Sequence, residues 1–83
     1  MKILYFSWIK DKVGTSFEEI EITSEINTIS KLIFFLNKKN NNYKEAFSNL
    51  DSIKYSINMQ TANINDKVNN NDEVAFFPPM TGG

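Results

Sequence analysis

Four apolar residues, Ile29, Leu32, Ile33 and Leu36, recur at i, i+3, i+4 and i+7. That spacing stacks them on one face of a helix. Asn27 or Thr28 can cap its start, because either side chain accepts from the orphan amides of a first turn. Lys38 and Lys39 complement the negative end, and Asn40-Asn41-Asn42 stops it. A helix with one apolar face must bury that face against another layer. The rest of the 83-residue chain reads mostly as strand, so the pattern predicts one domain in which a sheet covers one main helix.

Lys2 to Ile9 reads as the first strand, from its apolar, β-branched and aromatic content. Asp11 to Gly14 turns the chain, and Ser16 to Ile22 is a second strand paired with the first as a hairpin. Its alternation slips at Phe17. After the helix, Tyr43, Phe47 and Leu50 predict a shorter helical turn. Lys54 to Gln60 alternates Tyr55, Ile57, Met59 against Ser56, Asn58, Gln60, a half-buried strand, and a short piece around Ala62 to Ile64 follows. Asn69-Asn70-Asn71-Asp72 is a turn, since Asn tolerates the left-handed backbone region. Glu73 to Phe77 is the last strand, and Pro78-Pro79 must end it. Strand, strand, helix, strand, strand in this length is α+β. A β-grasp (ubiquitin-like) arrangement satisfies that order, with a mixed sheet of four to five strands packed on one main helix. The expected division is a domain over 1–77 and an extended tail over 78–83.

In such a fold one sheet face lies open to water. The first strand nevertheless carries Ile3, Tyr5, Ile9 on one side and Leu4, Phe6, Trp8 on the other, and the last opposes Val74, Phe76 to Ala75, Phe77. An open face bearing Phe6, Trp8 and Phe77 predicts a protein partner. The alternative is that loops cover those rings.

The chain has no cysteine and no histidine, which removes disulfides, thiolate chemistry, the usual zinc sites and any imidazole catalyst. Its nine basic residues are all lysine and are balanced by ten acids, so no basic stripe points to nucleic acid. Glu18, Glu19 and Glu21 read as a solvated strand face, and Asp72 and Glu73 as turn and surface residues. No metal constellation or phosphate-cradling loop is visible. The apolar run from Ile3 to Ile9 is too short and too aromatic for a signal peptide, and nothing reaches the length of a membrane span. A cytoplasmic location is the expectation.

Two of the three glycines are the last two residues, and both prolines stand at 78 and 79. Pro78-Pro79 favours a stiff, extended stem without amide donors. Gly82-Gly83 has no side chains and can thread a channel too narrow for any Cβ. A rigid stem with a bare tip suits a carboxylate delivered into another protein's active site, because less entropy is lost on insertion. Gly-Gly alone reads better as a frayed terminus.

The run Asn71-Asp72-Glu73-Val74-Ala75-Phe76-Phe77-Pro78-Pro79-Met80-Thr81-Gly82-Gly83 closely resembles the C-terminus of the molybdopterin synthase small subunit family. Ile3-Leu4-Tyr5-Phe6 followed by Val13-Gly14 is similar to that family's first strand and turn. Asn71 stands where the family usually has Gly, and Met80 where it has Val. The resemblance implies a β-grasp sulfur carrier with no bound cofactor. An ATP-dependent adenylating enzyme would activate Gly83, and a sulfur donor would convert the acyl-adenylate to a thiocarboxylate. A larger synthase subunit, in a heterotetramer, would accept the sulfur onto the precursor pterin in molybdenum cofactor biosynthesis. Gly82 would give steric access. Pro78, Pro79, Met80 and Thr81 would line the stem, and Phe6 and Phe77 would dock on the large subunit. The alternatives are a related carrier for another pathway such as thiazole synthesis, a protein modifier that forms isopeptide bonds through Gly-Gly, and a ubiquitin-like interaction module with an inert tail.

Overall fold

Thr28 caps the longest helix, its hydroxyl accepting from the Lys31 amide at 3.2 Å. The structure, a computed structural model, describes residues 1–79. That helix, α2 (Ile29–Asn37), buries all four residues of the predicted stripe. They join one core with Ile3, Tyr5, Val74 and Phe76 from the sheet. Truncating a fully buried residue such as Leu36 to alanine costs about 2–5 kcal/mol.

The sheet has five strands, β1 (Lys2–Tyr5), β2 (Phe17–Glu19), β3 (Lys54–Ile57), β4 (Gln60–Ala62) and β5 (Glu73–Phe77), in the spatial order β2-β1-β5-β3-β4. The central pair, β1 and β5, is parallel, with Lys2 opposite Glu73 and Tyr5 opposite Phe76. The other pairs are antiparallel. This mixed sheet with a helix over one face is the expected β-grasp. Its last strand has the predicted limits.

The first strand is shorter than its composition predicts. It stops at Tyr5, and Ser7–Val13 forms a helix, α1. Ser7 takes a positive φ of 56° at the junction. Ile9 and Val13, one helical turn apart, are buried. Gly14 then closes the helix in the left-handed region at φ 96°, its amide donating to the Lys10 carbonyl at 2.8 Å. The turn expected at Asp11 to Gly14 is therefore the end of α1 and its cap. Strands β1 and β2 are antiparallel neighbours as expected, with Leu4 opposite Phe17, but a helix rather than a hairpin turn connects them. Beyond Glu19 the predicted strand gives way to other partners. The side-chain amide of Asn70 donates to the Ile22 carbonyl and accepts from the Ile22 amide, both at 2.8 Å.

The helix α2 stops before the predicted Asn40-Asn41-Asn42, at Asn37 with Lys38 as its C-cap, and Asn40 instead starts another helix. Its side chain accepts from the amides of Asn42 and Tyr43, capping α3 (Asn41–Ala46). The strand expected over Lys54 to Gln60 breaks at Asn58-Met59, a two-residue connection between β3 and β4. Asn69 to Asp72 is the predicted turn, but its residues avoid the left-handed region. Side-chain acceptors shape it instead: Asn71 donates its amide to Asn69 Oδ1 and Asn69 its amide to Asp72 Oδ2, both at 2.9 Å. Among the described residues, no helix is long and apolar enough to cross a membrane.

Candidate functional site

Strand alternation decides which side chains face away from the helices. Ile3, Tyr5, Val74 and Phe76 point into the core and are 0–1% exposed. Their neighbours Leu4, Ala75 and Phe77 line a shallow groove of about 630 Å³ on the other face. Ala75 lies between Leu4 and Ser56 in the register. Its small side chain leaves the floor of the groove low between bulkier walls.

Phe6 reaches this groove by a different route from the one its sequence context predicts. It is the N-cap residue of α1 with an extended backbone, and its amide donates to the Phe76 carbonyl at 3.1 Å. That bond prolongs the β1–β5 ladder by one residue, while Phe6 stays 48% exposed. Phe77 is half-buried on the same groove. Trp8, grouped with them in the sequence, is instead a half-buried residue of α1 packed against the core. The open face thus keeps Phe6 and Phe77 and loses Trp8.

Pro78 and Pro79 follow β5 directly and also line the groove. Without amide donors they cannot extend the ladder, so the chain leaves the sheet beside Phe77. The expectations for Met80, Thr81, Gly82 and Gly83 lie outside the described residues.

Alternation over the sequence had also missed Met59. It sits on the connection between β3 and β4, 89% exposed, and contributes to the same groove. Without Gly, the Asn58-Met59 pair lacks the usual mark of a tight hairpin.

Glu18 departs from its expected solvated role. It pairs with Ile3 across β2 and β1 and so points to the core side. One oxygen, Oε2, accepts from the hydroxyls of Tyr5 at 2.8 Å and Tyr43 at 2.7 Å. The other, Oε1, pairs with the Lys39 ammonium at 2.7 Å. Burial alone would raise the Glu18 carboxyl, but the hydrogen bonds from Lys39, Tyr43 and Tyr5 outweigh it and hold it below the usual carboxylate range. Burial, then the bond to Glu18, pushes the Tyr5 hydroxyl far above its ordinary value. The cluster ties β1, β2, α3 and the connection between α2 and α3 together, away from the groove. Among the described residues, no group of three or more His, Cys, Asp or Glu is placed to hold a metal ion.

The sequence profile of the ThiS family matches residues 3–83. A molybdopterin synthase sulfur carrier subunit from Escherichia coli (strain K12) is 26% identical over 83 residues, covering 100% of this chain and 99% of the relative. The protein of the same description from Dictyostelium discoideum is 30% identical over 84 residues, covering 99% and 94%. Among solved structures, SAMP1 from Haloferax volcanii superposes with a TM-score of 0.74 at 19% identity, covering 100% of this chain and 98% of its own. A Pyrococcus furiosus protein described as a candidate subunit 1 of molybdopterin converting factor gives 0.75 at 23% identity, with 95% of each chain covered. At those identities the structural likeness speaks for the β-grasp fold alone.

Proposed function

The chain belongs to the ThiS family, and from that premise we propose that it is the sulfur-carrying small subunit of a molybdopterin synthase. The observation that carries the reading is the junction of two features. An apolar groove on the open sheet face, with Phe6 and Phe77 on its walls, runs into Pro78-Pro79, from which the Gly-Gly segment of the sequence continues. The full-length relatives described as molybdopterin synthase sulfur carrier subunits support the same reading.

In this scheme the groove docks on the larger synthase subunit, and the tail reaches that subunit's active site. A free carboxylate is a poor acyl electrophile, so activation comes first. A Gly83 carboxylate oxygen attacks the α-phosphorus of ATP on an adenylating enzyme, and pyrophosphate leaves. A sulfur donor then displaces AMP, a good leaving group, and Gly83 ends as a thiocarboxylate. Its sulfur passes to the precursor pterin in the large subunit, which supplies the acids and bases. This chain, lacking both Cys and His, supplies the presented sulfur and the docking surface. Gly82 keeps the approach free of side chains.

The test is an intact-mass spectrum after incubation with a cognate adenylating enzyme, ATP and a sulfur source. The expected result is a shift equal to replacing one oxygen with sulfur, mapped to Gly83. An unshifted mass, with the same enzyme active on another carrier, overturns the carrier reading.

A further inference from the structure

Three non-glycine residues among those described have positive φ: Ser7, Asn58 and Met59. Asn adopts that region readily, whereas a bulky unbranched side chain does so rarely. Met59, at φ 70°, is the second central residue of the connection between the paired residues Ile57 and Gln60. With φ of 51° at Asn58, both central residues are left-handed, the mark of a type I′ turn. Glycine is the favoured residue at the position Met59 occupies. A methionine there is disfavoured by its own backbone and, at 89% exposure, gains almost no packing in the free chain.

The turn is nevertheless held firmly. The Asn58 amide donates to the Glu73 carbonyl at 2.7 Å, and the Glu73 amide returns a bond to Asn58 Oδ1 at 2.9 Å. Asn58 Nδ2 donates to Asp72 Oδ1 at 2.9 Å. These bonds fix the connection to the first residue of β5. Met59 therefore stands at the Glu73 end of the groove, while Phe6 and Phe77 stand at the end from which the tail departs. Strain at an exposed position of a binding face implies a use outside the free chain.

We propose that Met59 is an anchor for the large synthase subunit, seated in an apolar pocket of that partner at the end of the groove remote from the tail. This rests on the docking reading given above. The occupant follows from continuity, because the partner that receives the tail at the Phe77 end also spans the rest of the same groove. The thioether is flexible and polarisable, and suits an irregular pocket. Two anchors at opposite ends of the face would fix the angle at which the tail enters, which one cluster of rings leaves free to pivot.

The experiment measures affinity for the cognate large subunit by titration calorimetry, together with the melting temperature, for the intact chain and four variants. Met59→Asn and Met59→Gly are expected to melt at or above the unmodified protein, because both accept a positive φ. Their dissociation constants are expected to rise about tenfold, as for loss of a moderate interface anchor. Met59→Leu keeps the apolar reach and is expected to bind within about threefold. Phe77→Ala is the control for the docking reading and is expected to weaken binding more than it lowers the melting temperature. Unchanged affinity in Met59→Asn with weakened binding in Phe77→Ala overturns the anchor role alone. Unchanged affinity in both overturns the docking reading and the anchor with it. A lower melting temperature in Met59→Asn and Met59→Gly also overturns the anchor, since it would place the side chain in the packing of the free domain.

Discussion

Glu18 gathers two tyrosine hydroxyls and one ammonium on a carboxylate that is largely shielded from water. Replacing it with glutamine removes the charge and leaves the buried Tyr5 hydroxyl with a weaker acceptor. The expected loss is about 2 kcal/mol at pH 7, in the range for hydrogen bonds to charged groups. Because the folded-state pKa is lowered, the carboxylate's contribution is fully present above the unfolded value of about 4.3. It disappears as pH falls through the lower folded value. Urea denaturation at a series of pH values should therefore show the gap between Glu18→Gln and the unmodified chain closing on the acid side. A gap that does not change with pH would show that Glu18 acts by shape alone. The sequence could not place this residue, because the slip of alternation at Phe17 hides which of Glu18 and Glu19 points inward. The partners that shield it come from two distant segments, Tyr5 from β1 and Lys39 and Tyr43 from the stretch around the start of α3.

Among the elements, α2 and β5 were legible because each is written locally. In α2 a cap precedes a full apolar stripe, and in β5 a turn precedes an apolar run closed by proline. Helix α1 was hidden because its aromatic and β-branched residues favour strands. The signals that could have revealed it are the Ile9–Val13 spacing, Lys10 and Lys12 near its end, and Gly14 just after it. Gly14 also supplies a test at this scale. A Cβ there meets no atom within 4 Å, yet its φ of 96° disfavours any side chain. Gly14→Ala is thus expected to lower stability by about 1 kcal/mol through backbone strain alone, measured by denaturant unfolding. A neutral result would mean that the α1 cap relaxes without cost. The β3–β4 connection was missed for a related reason, since an apolar methionine in the turn preserves the alternation of a longer strand.

At the scale of the molecule, element order was enough to specify a β-grasp, although α1 and the broken third strand were misread. A sheet crossed by a single apolar helix leaves few other ways to close a chain of this length. The proposed division of labour between folded face and tail predicts that adding one residue after Gly83 leaves the melting temperature unchanged and abolishes sulfur transfer. Transfer by the extended protein in a reconstituted synthase assay would refute a reaction at the terminal carboxylate. The central place of β5 reaches further. Its partners, β1 and β3, were made earlier, and Val74 and Phe76 fill the middle of the core. A chain emerging from the ribosome cannot complete its sheet until these late residues are out, and pairing Lys2 with Glu73 closes nearly the whole chain into one loop. A copy cut short before β5 would lack both the centre of its sheet and the segment that follows it, so half-made copies would hold neither a stable domain nor a tail to offer a partner.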